Sequence, residues 1–363
     1  MKATIYDVAR EAGVSIATVS QVINGKGKIS EERRREILKI MEKLNYQPSV
    51  IAAALTGKKT YTLGLLVPDI ANPFFAEFAR AVEDEGHRVG YNLIFCSTDN
   101  REDRVERYLT LFRQKKVDGV IIGTGIENDK LLNPLVQQGV PVVLFAREAP
   151  DLPVHTVVVD DAGGGALAAR HLAELGHRRF GVLAESPKIS SSRERIRGFR
   201  AAIEEAGCEL PDKFVAHCGP SVSDSKRYAL DLLLRSDRPT ALFCCNDLLA
   251  IGALQAAREI GLRVPQDISV VGFDDTILAS VSDPPLTTVA QPIETIGKIV
   301  IDLLVNHGDS EKRRIVLQPE LKIRHSTSSP GGRRPSGRRP SPTTGRENSG
   351  PSADGRTLRQ TAD

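Results

Sequence analysis

Two kinds of hydrophobic periodicity divide the chain. Over the first 46 residues apolar positions recur with helical spacing, as in Ile5, Val8, Ala9 and Ala12. From Tyr61 onward, continuous apolar runs such as LGLLVPD, GVIIGTG, RFGVLAE and ISVVGFD alternate with helical patterns. Such β-branched runs are typical of parallel strands that are covered on both faces. The pattern predicts a small all-α unit followed by a larger α/β body.

Local signals in the α-helical unit predict where its helices begin and end. Thr4 and Asp7 have the spacing of a capping box, and Gly13 stands where a helix needs a left-handed residue to stop. Ser15 is placed to cap a second short helix, and Ser30 a third that runs roughly to residue 44. Two short helices joined by a glycine turn are typical of a helix-turn-helix, whose second helix enters the major groove of DNA.

The second helix carries a polar face suited to DNA. The hydrophobic pattern predicts that Ile16, Ala17, Thr18, Ser20 and Gln21 face outward. Gln21 can pair with an adenine edge, and Ile16 or Ala17 can contact a thymine methyl group. The short hydroxyl and amide side chains suited to phosphate oxygens are Ser15, Thr18, Ser20 and Asn24. The alternative interpretation is an ordinary polar helix surface.

Charge and composition support an intracellular nucleic-acid partner. The net charge is +3, but residues 1–60 hold 11 Lys and Arg against 6 Asp and Glu, so positive charge collects where the helix-turn-helix lies. The amino terminus has no signal-peptide pattern, and no apolar run could span a bilayer. The five cysteines form no Cys-x-x-Cys pair, which predicts reduced thiols, no metal site and a cytoplasmic location.

The segment TIYDVAREAGVSIATVSQVINGKGKISEERRREILKIMEKLNYQPSVIAAAL resembles the DNA-binding head of the lactose-repressor (LacI/GalR) family. The resemblance implies a hinge helix over Pro48–Leu55, with Leu55 wedged into a minor-groove step and Ala52 beside it. The alternative for Leu55 is an apolar contact against the body. The predicted DNA-binding residues are Thr4, Tyr6, Ser15, Ile16, Ala17, Thr18, Ser20, Gln21, Asn24, Ala52 and Leu55.

Three positions in this region depart from the family pattern. Gln21 stands where the family usually has Arg, and Ser49 and Ala53 where it usually has Asn and Arg. Because a glutamine amide pairs with adenine and an arginine fork with guanine, Gln21 favours adenine at that operator position.

The body resembles the same family, and the periplasmic sugar-binding proteins that share its fold, in VPDIANPFFAEFARAVED, SSRERIRGF, PTALFCCNDLLAIGAL and GLRVPQDISVVGFDD. The resemblance implies a two-lobed clamshell whose chain crosses between the lobes three times. It also implies an effector cleft at the strand ends, formed by Asp69, Asn72, Phe74, Arg147, Arg195, Asn246, Asp274 and Gln291.

These side chains suit a polyol, because an aromatic ring covers the apolar face of a sugar and polar groups bond its hydroxyls. Each has an ordinary alternative: Asp274 could cap a turn, and Arg195 could lie on a helix surface. The sequence departs from the family pattern at Ala146, Ile189 and Pro220. The absence of arginine at Ile189 makes a purine effector a weaker hypothesis than a sugar or sugar derivative.

Two other function classes remain open. In VVVDDAGGGALA, Gly163, Gly165 and Ala168 resemble a dinucleotide fingerprint with Glu185 after the next strand, which is typical of a nicotinamide oxidoreductase. However, Asp160 and Asp161 stand directly before the glycines and would repel a pyrophosphate. A free sugar-binding protein would share the body but leave residues 1–60 unexplained.

We therefore expect a cytoplasmic, homodimeric transcription regulator that represses from palindromic double-stranded operator DNA under the control of a small effector. No catalytic set, metal or cofactor is expected. The resemblance implies dimer contacts through the helix after Asn72 and through residues 248–257. The predicted units are a head over 1–46, a hinge over 47–59, a body over 60–325 and a disordered tail over 326–363. Within the body, lobe 1 takes about 60–160 and 290–325, and lobe 2 about 161–289.

Overall fold

The structure is a computed structural model that describes residues 3–23, 27, 29–46, 59–125, 128–149, 151–307 and 311–331. The amino-terminal unit consists of three helices, namely α1 (Ile5–Glu11), α2 (Ile16–Ile23) and α3 (Glu31–Lys43). Their inward faces bury Val8, Val19 and Ile37 completely, and half-buried apolar side chains pack around them. This small core holds the predicted helix-turn-helix together.

The predicted signals for the ends of these helices are present. The Asp7 carboxylate accepts from the backbone N–H of Thr4 at 2.9 Å, and Ser15 Oγ accepts from the Thr18 N–H at 3.1 Å. Gly13 has a φ of +61°, a left-handed conformation that glycine adopts without strain. Ser30 Oγ accepts from the N–H of Arg33 at 3.3 Å. These contacts confirm the predicted start of each helix.

The first lobe is a six-stranded parallel sheet in the order β11-β5-β4-β3-β1-β2, with helices on both faces. Its strands are β1 (Thr62–Val67), β2 (Asn92–Ser97), β3 (Gly119–Ile122), β4 (Val142–Phe145), β5 (His155–Val159) and β11 (Arg314–Leu317). Its helices are α4 (Pro73–Arg88), α5 (Glu102–Lys115), α6 (Asn133–Gln137) and α12 (Ile293–Val305). Separate apolar clusters fill the two faces of the sheet.

The second lobe repeats this plan with the order β12-β10-β9-β8-β6-β7, in which β12 alone runs antiparallel. Its strands are β6 (Phe180–Ala184), β7 (Val215–His217), β8 (Ala241–Cys244), β9 (Ser269–Asp274), β10 (Thr287–Ala290) and β12 (Glu320–Lys322). Its helices are α7 (Asp161–Glu174), α8 (Ser190–Glu205), α9 (Val222–Leu233), α10 (Asp247–Glu259) and α11 (Ile277–Val281). The predicted α/β body with two parallel-sheet lobes is confirmed.

The chain crosses between the lobes three times, after β5, after β10 and after β11. The expectation that lobe 1 takes residues 290–325 is wrong at the last crossing. Glu320–Lys322 instead pairs antiparallel with Thr288–Ala290 in the second sheet. Since β12 covers the edge of β10, the segment from about residue 318 onward belongs to lobe 2.

The predicted tail also begins too early. Ser326 is completely buried, accepts from the backbone N–H of Thr287 at 2.8 Å and donates to the carbonyl of Val270 at 2.6 Å. His177 Nε2 contacts the carbonyl oxygen of Ser328 at 2.9 Å. Residues 326–331 are therefore part of the second lobe. Residues 332–363, the hinge residues 47–58 and Asn24 lie outside the described residues.

Two expectations from composition concern thiols and membranes. All five cysteines are buried and free, and burial raises the pKa of Cys218 to about 12, so this thiol stays protonated. In the part of the chain that the structure describes, no helix combines the length and apolarity needed to cross a bilayer.

Helices α7 and α8 pack at unusually short range because each helix has a glycine that faces the backbone of the other helix. A Cβ atom at Gly198 would stand 1.8 Å from the carbonyl oxygen of Ala162, and one at Gly165 would stand 2.0 Å from that of Arg195. The two glycines thereby set the position of Arg195 on α8 relative to Asp161 on α7.

We expect Gly198→Ala to lower the free energy of unfolding by about 3 kcal/mol, because the two backbones must separate to admit the methyl group. Chemical denaturation of the full chain measures this. Gly123→Ala is the matched control, since its Cβ would find its nearest neighbour at an ordinary 3.4 Å. Equal stability of the two variants would contradict the close-packing account.

Candidate functional site

The predicted DNA-contacting side chains of the head lie on its surface. Tyr6 is 68% exposed and Ile16 39% exposed, while Val19 and Val22 occupy the opposite, buried face of α2. Thr4, Ser15, Ala17 and Gln21 are exposed, and Thr18 and Ser20 are half-buried. The outward face of α2 therefore offers the mixture of hydroxyl, amide and small apolar groups that the sequence predicts. Asn24, Ala52 and Leu55 lie outside the described residues.

In the second lobe, Arg195 is the centre of a buried polar cluster. Its Nε donates to Asp161 at 2.7 Å, and its Nη1 lies 3.4 Å from Asp274 and donates to the carbonyl of Cys245. The guanidinium also stacks on the ring of Phe273, 3.6 Å from the centroid. Burial opposes its charge, but the carboxylates of Asp161 and Asp274 outweigh this effect and raise the pKa of Arg195. The alternative of a surface arginine is wrong.

Two further predicted residues join this cluster. Gln291 Nε2 donates to Asp274 at 2.8 Å, and Asn246 caps α10 by accepting from the backbone N–H of Leu249 at 2.9 Å. Burial raises the pKa of Asp274 well above its ordinary value, although Arg195 opposes the shift. The structure thus brings Arg195, Asn246, Asp274 and Gln291 together at the carboxyl ends of the second-lobe strands.

The first-lobe candidates are held by contacts of their own. Asp69 accepts from the backbone N–H of Ala71 at 2.9 Å, and Asn72 caps α4 by accepting from that of Phe74 at 3.1 Å. Arg147 pairs with Asp129 at 2.6 Å, and burial lowers its pKa.

Phe74, which is predicted to cover the apolar face of a sugar, exposes little of its ring. It is only 6% exposed, and its ring stacks with Phe145 at a centroid distance of 6.0 Å. Most of the Phe74 ring therefore belongs to the core of the first lobe. The half-buried ring of Phe75, 5.0 Å away, leaves more surface available.

A cavity of about 920 Å³ lies between the lobes. It is lined by Asp274, Asp275 and Gln291 from the second-lobe side and by one face of α4. Beside it the lobes are joined by a hydrogen bond from the backbone N–H of Ile277 to Glu77, at 2.9 Å. Of the eight predicted effector residues, two line this cavity, Asp274 and Gln291. It is therefore not the predicted effector cleft around Arg195 and Asn246.

Sequence reasoning missed three acids of the second-lobe cluster. Asp161 pairs with Arg195 at 2.7 Å, and Glu185 follows directly after β6, where burial raises its pKa. Asp247 is buried, accepts from Thr288 Oγ1 at 2.7 Å and from the N–H of Thr276 at 2.8 Å, and burial raises its pKa to about 6. The available signal was their position at strand ends, where ligand-binding residues of open α/β sheets collect.

Comparison with known proteins decides the family. Residues 4–49 match the family model described as bacterial regulatory proteins, lacI family, and residues 169–327 match a periplasmic binding protein-like domain. The HTH-type transcriptional regulator DegA of Bacillus subtilis is 44% identical over 90% of this chain and 99% of its own. The chain belongs to the lacI family of bacterial regulatory proteins. The HTH-type transcriptional repressor PurR of Photobacterium profundum is 36% identical over 89% of this chain and 98% of its own.

Solved structures place this lacI-family chain in the same fold. A lac repressor dimer bound to operator and the anti-inducer ONPF has a TM-score of 0.81 at 27% identity, covering 90% of this chain and 100% of that one. A complex of the transcriptional regulator CelR with cellobiose has a TM-score of 0.66 at 31% identity, and the match covers 89% of this chain and 99% of that one. The chain is a DNA-binding transcription regulator and not an enzyme.

The dinucleotide motif has a structural role in this lacI-family regulator. Asp160 caps α7 by accepting from the N–H of Gly163 at 2.8 Å, so the helix end where a pyrophosphate would bind already holds a carboxylate. Gly165 provides the close approach to Arg195 described above. The oxidoreductase alternative is therefore wrong, and the match to the head excludes a free sugar-binding protein.

We expect Arg195→Ala to lower the free energy of unfolding by about 3–5 kcal/mol, because Asp161 and Asp274 would remain as buried, unpaired acids. Chemical denaturation of the full chain measures the loss. Arg197→Ala is the control on the same helix: its side chain is 65% exposed and pairs with exposed Glu194, so its effect should stay below about 1 kcal/mol. Similar losses in both variants would contradict the role given to Arg195.

Proposed function

We propose that this regulator is an operator-binding repressor that acts as a homodimer and responds to a sugar or sugar derivative bound between its lobes. The observation that carries the proposal is that one chain contains both an exposed face of α2 suited to DNA and a buried polar cluster around Arg195. Operator DNA would be bound in the cytoplasm, where the bacterial chromosome lies. The lac repressor and PurR, which resemble the chain, are repressors by name.

In the DNA-bound state α2 would lie in the major groove. Ser15, Thr18 and Ser20 would bond phosphate oxygens, and Ile16 or Ala17 would contact a thymine methyl group. Gln21, which is exposed at the end of the same face, would pair with adenine. Thr4 and Tyr6 are exposed at the start of α1. Asn24, Ala52 and Leu55 are also proposed to contact DNA, on the basis of the sequence resemblance.

The effector would bind between the strand ends of the two lobes. Asp69, Asn72 and Arg147 would face it from the first lobe, with a minor part of the Phe74 ring. From the second lobe, hydroxyl groups would meet Arg195, Asn246, Asp274 and Gln291. The CelR complex, whose chain is similar, contains cellobiose, and this supports the sugar class. Thermal stabilisation by purine bases alone in a screen of sugars and purines would overturn it.

Control of DNA binding would follow from the arrangement of the lobes. An effector that fits one arrangement of the cleft shifts the population toward it, and the head binds operator only in the other. Coupling of this kind amounts to about 1–3 kcal/mol.

The proposed dimer would use α4 and α10, as the family resemblance implies. Exposed apolar side chains near these helices support a partner surface, with Ile277 58% exposed and Val281 67% exposed on α11. The similar lac repressor structure is a dimer by its description. Two heads related by a two-fold axis would read a pseudo-palindromic site.

Selection of bound DNA from a random library tests the proposed function. We expect a palindromic consensus of roughly 14–20 base pairs, with half-sites about one helical turn apart. Gln21→Arg should keep this spacing but change one position in each half-site from adenine to guanine, by about 1–3 kcal/mol of discrimination.

Arg10→Lys serves as the control, because this side chain is exposed on α1 and keeps its charge. It should leave the consensus unchanged. Binding that depends on salt but not on sequence, both with and without a sugar panel, would contradict the regulator as proposed. A wild-type preference for guanine at the Gln21 position would contradict the role of that residue alone.

A further inference from the structure

The cavity of about 920 Å³ has walls from both lobes and from two of the crossings that join them. One wall is a face of α4 in the first lobe, and Asp274 and Asp275 at the end of β9 stand on the second-lobe side. The second crossing contributes residues 290–295, and the third contributes Gln318. Pockets that hold small organic ligands have volumes of about 300–1,000 Å³. A molecule of that size bound here would contact both lobes at once.

Acidic side chains outnumber basic ones in the lining of this cavity. The two basic residues are already paired, Arg80 with Asp84 at 2.7 Å and Lys322 with Glu320. The acids of the lining are Glu77, Asp84, Asp274, Asp275, Glu294 and Glu320. Because the acids that remain after this pairing exceed the cations, the cavity attracts positive charge.

Two of these acids are available to a cationic ligand. Glu294 is exposed in the first turn of α12 and pairs with no cation in the described part of the chain. Glu77 is half-buried and accepts from the backbone N–H of Ile277 at 2.9 Å, a neutral donor that leaves its charge uncompensated. A hydrogen bond between an ammonium group and a carboxylate is stronger than one between neutral groups.

The buried carboxyl group of Asp274 points independently to a ligand in the cavity. This residue is only 6% exposed, and its Oδ1 accepts from Gln291 at 2.8 Å and lies 3.4 Å from Arg195. Its Oδ2 has no hydrogen-bond partner among the described residues, and the side chain lines the cavity. Such an oxygen costs free energy that a donor in the cavity would recover. Burial raises the pKa of Asp274, and an ammonium group beside it would favour the charged form.

The placement of the acids suits an elongated cation rather than a metal ion. Among the described residues, no three or more Asp, Glu, His or Cys side chains converge as a metal ion requires. Instead, Glu77 lies on α4, Glu294 on α12 and Glu320 on β12. Half-buried Pro292 and Ile293 line the same cavity. Separated carboxylates with apolar surface beside them fit an aliphatic chain that carries an amino group at each end.

We propose that this cavity is a second ligand site, which binds a linear diamine or polyamine. The ammonium groups pair with Glu77 and Glu294 and donate to Oδ2 of Asp274, while the methylene chain lies against Ile293. Because the ligand contacts both lobes, it favours the arrangement of the lobes in which these groups stand together. This second site does not depend on which effector binds in the cleft around Arg195.

Matched amines that differ in the number of their charges test the proposed site. The full-length protein, free of DNA because polyamines also bind phosphates, is titrated by calorimetry with putrescine, spermidine, butylamine and butanediol at one ionic strength. We expect putrescine and spermidine to bind, butylamine to bind at least about tenfold more weakly for want of one charged hydrogen bond, and butanediol not to bind. An equal concentration of Mg²⁺ should not displace putrescine.

Two variants remove single charges from the cavity. Glu77→Gln keeps an acceptor for the N–H of Ile277, and Glu294→Gln changes an exposed side chain, so both should fold. We expect each to weaken spermidine binding about three- to tenfold, through loss of one charge pair. Asp302→Asn is the matched control, because it removes one charge from the same helix as Glu294, outside the cavity, where Asp302 is 52% exposed. It should leave the affinity unchanged.

Several outcomes would overturn this assignment. They are dissociation constants above about 1 mM for every amine, equal affinities for butylamine and putrescine, and displacement of putrescine by Mg²⁺. Equal losses in Asp302→Asn and in the two cavity variants would show general attraction of amines to an acidic surface and no site. If a cavity variant does not fold, the amine series on the wild type still decides. None of these results bears on operator or sugar binding.

Discussion

The position of Arg195 between the carboxylates of Asp161 and Asp274 is the interaction on which the second lobe depends. This one side chain connects α8 to the start of α7, to the end of β9 and to the backbone after β8. The close approach of α7 and α8 at Gly165 and Gly198 brings the backbone of Arg195 next to α7. Buried charges persist where they are paired and hydrogen-bonded, and the cluster meets this condition with its own acids.

The same interaction defines what the cleft can recognise. Asp161 and Asp274 balance the positive charge of Arg195. The second-lobe side of the cleft therefore presents oriented acceptors and amide donors rather than net positive charge. Asp274 is further fixed by Gln291, which lies at the second crossing between the lobes. A ligand that bonds these groups therefore contacts the segment that must bend when the lobes move. This placement gives a physical route from the cleft to the relative position of the lobes.

The sequence predicted the parts of the fold that have local signals. Helix caps at Ser15 and Ser30 and the turn at Gly13 were specified by residue type, and the apolar strands were recognisable as continuous runs. Strand β10 has a weaker sequence signal, because TTVA is only half apolar. Its threonines are buried nonetheless, since Thr288 donates to Asp247 and the backbone N–H of Thr287 donates to Ser326.

The site was predictable as a location but only partly as a set of residues. Strand-end positions and the family resemblance identified Arg195, Asn246, Asp274 and Gln291, which the structure brings together. The role of Asp161 depends on Arg195, a partner 34 residues away along the chain. No periodicity or spacing encodes such pairing. The burial of Phe74 likewise depends on packing against Phe145, which no local pattern encodes.

The central claim is that the cleft and the head are coupled, and a linkage titration tests it most directly. Operator affinity of the full-length protein is measured by fluorescence anisotropy at one ionic strength, without and with the saturating sugar. The account predicts a change in Kd of about 5- to 150-fold, and a change in sugar affinity by the same factor when operator is bound. The same operator Kd with and without a sugar that demonstrably binds would contradict it.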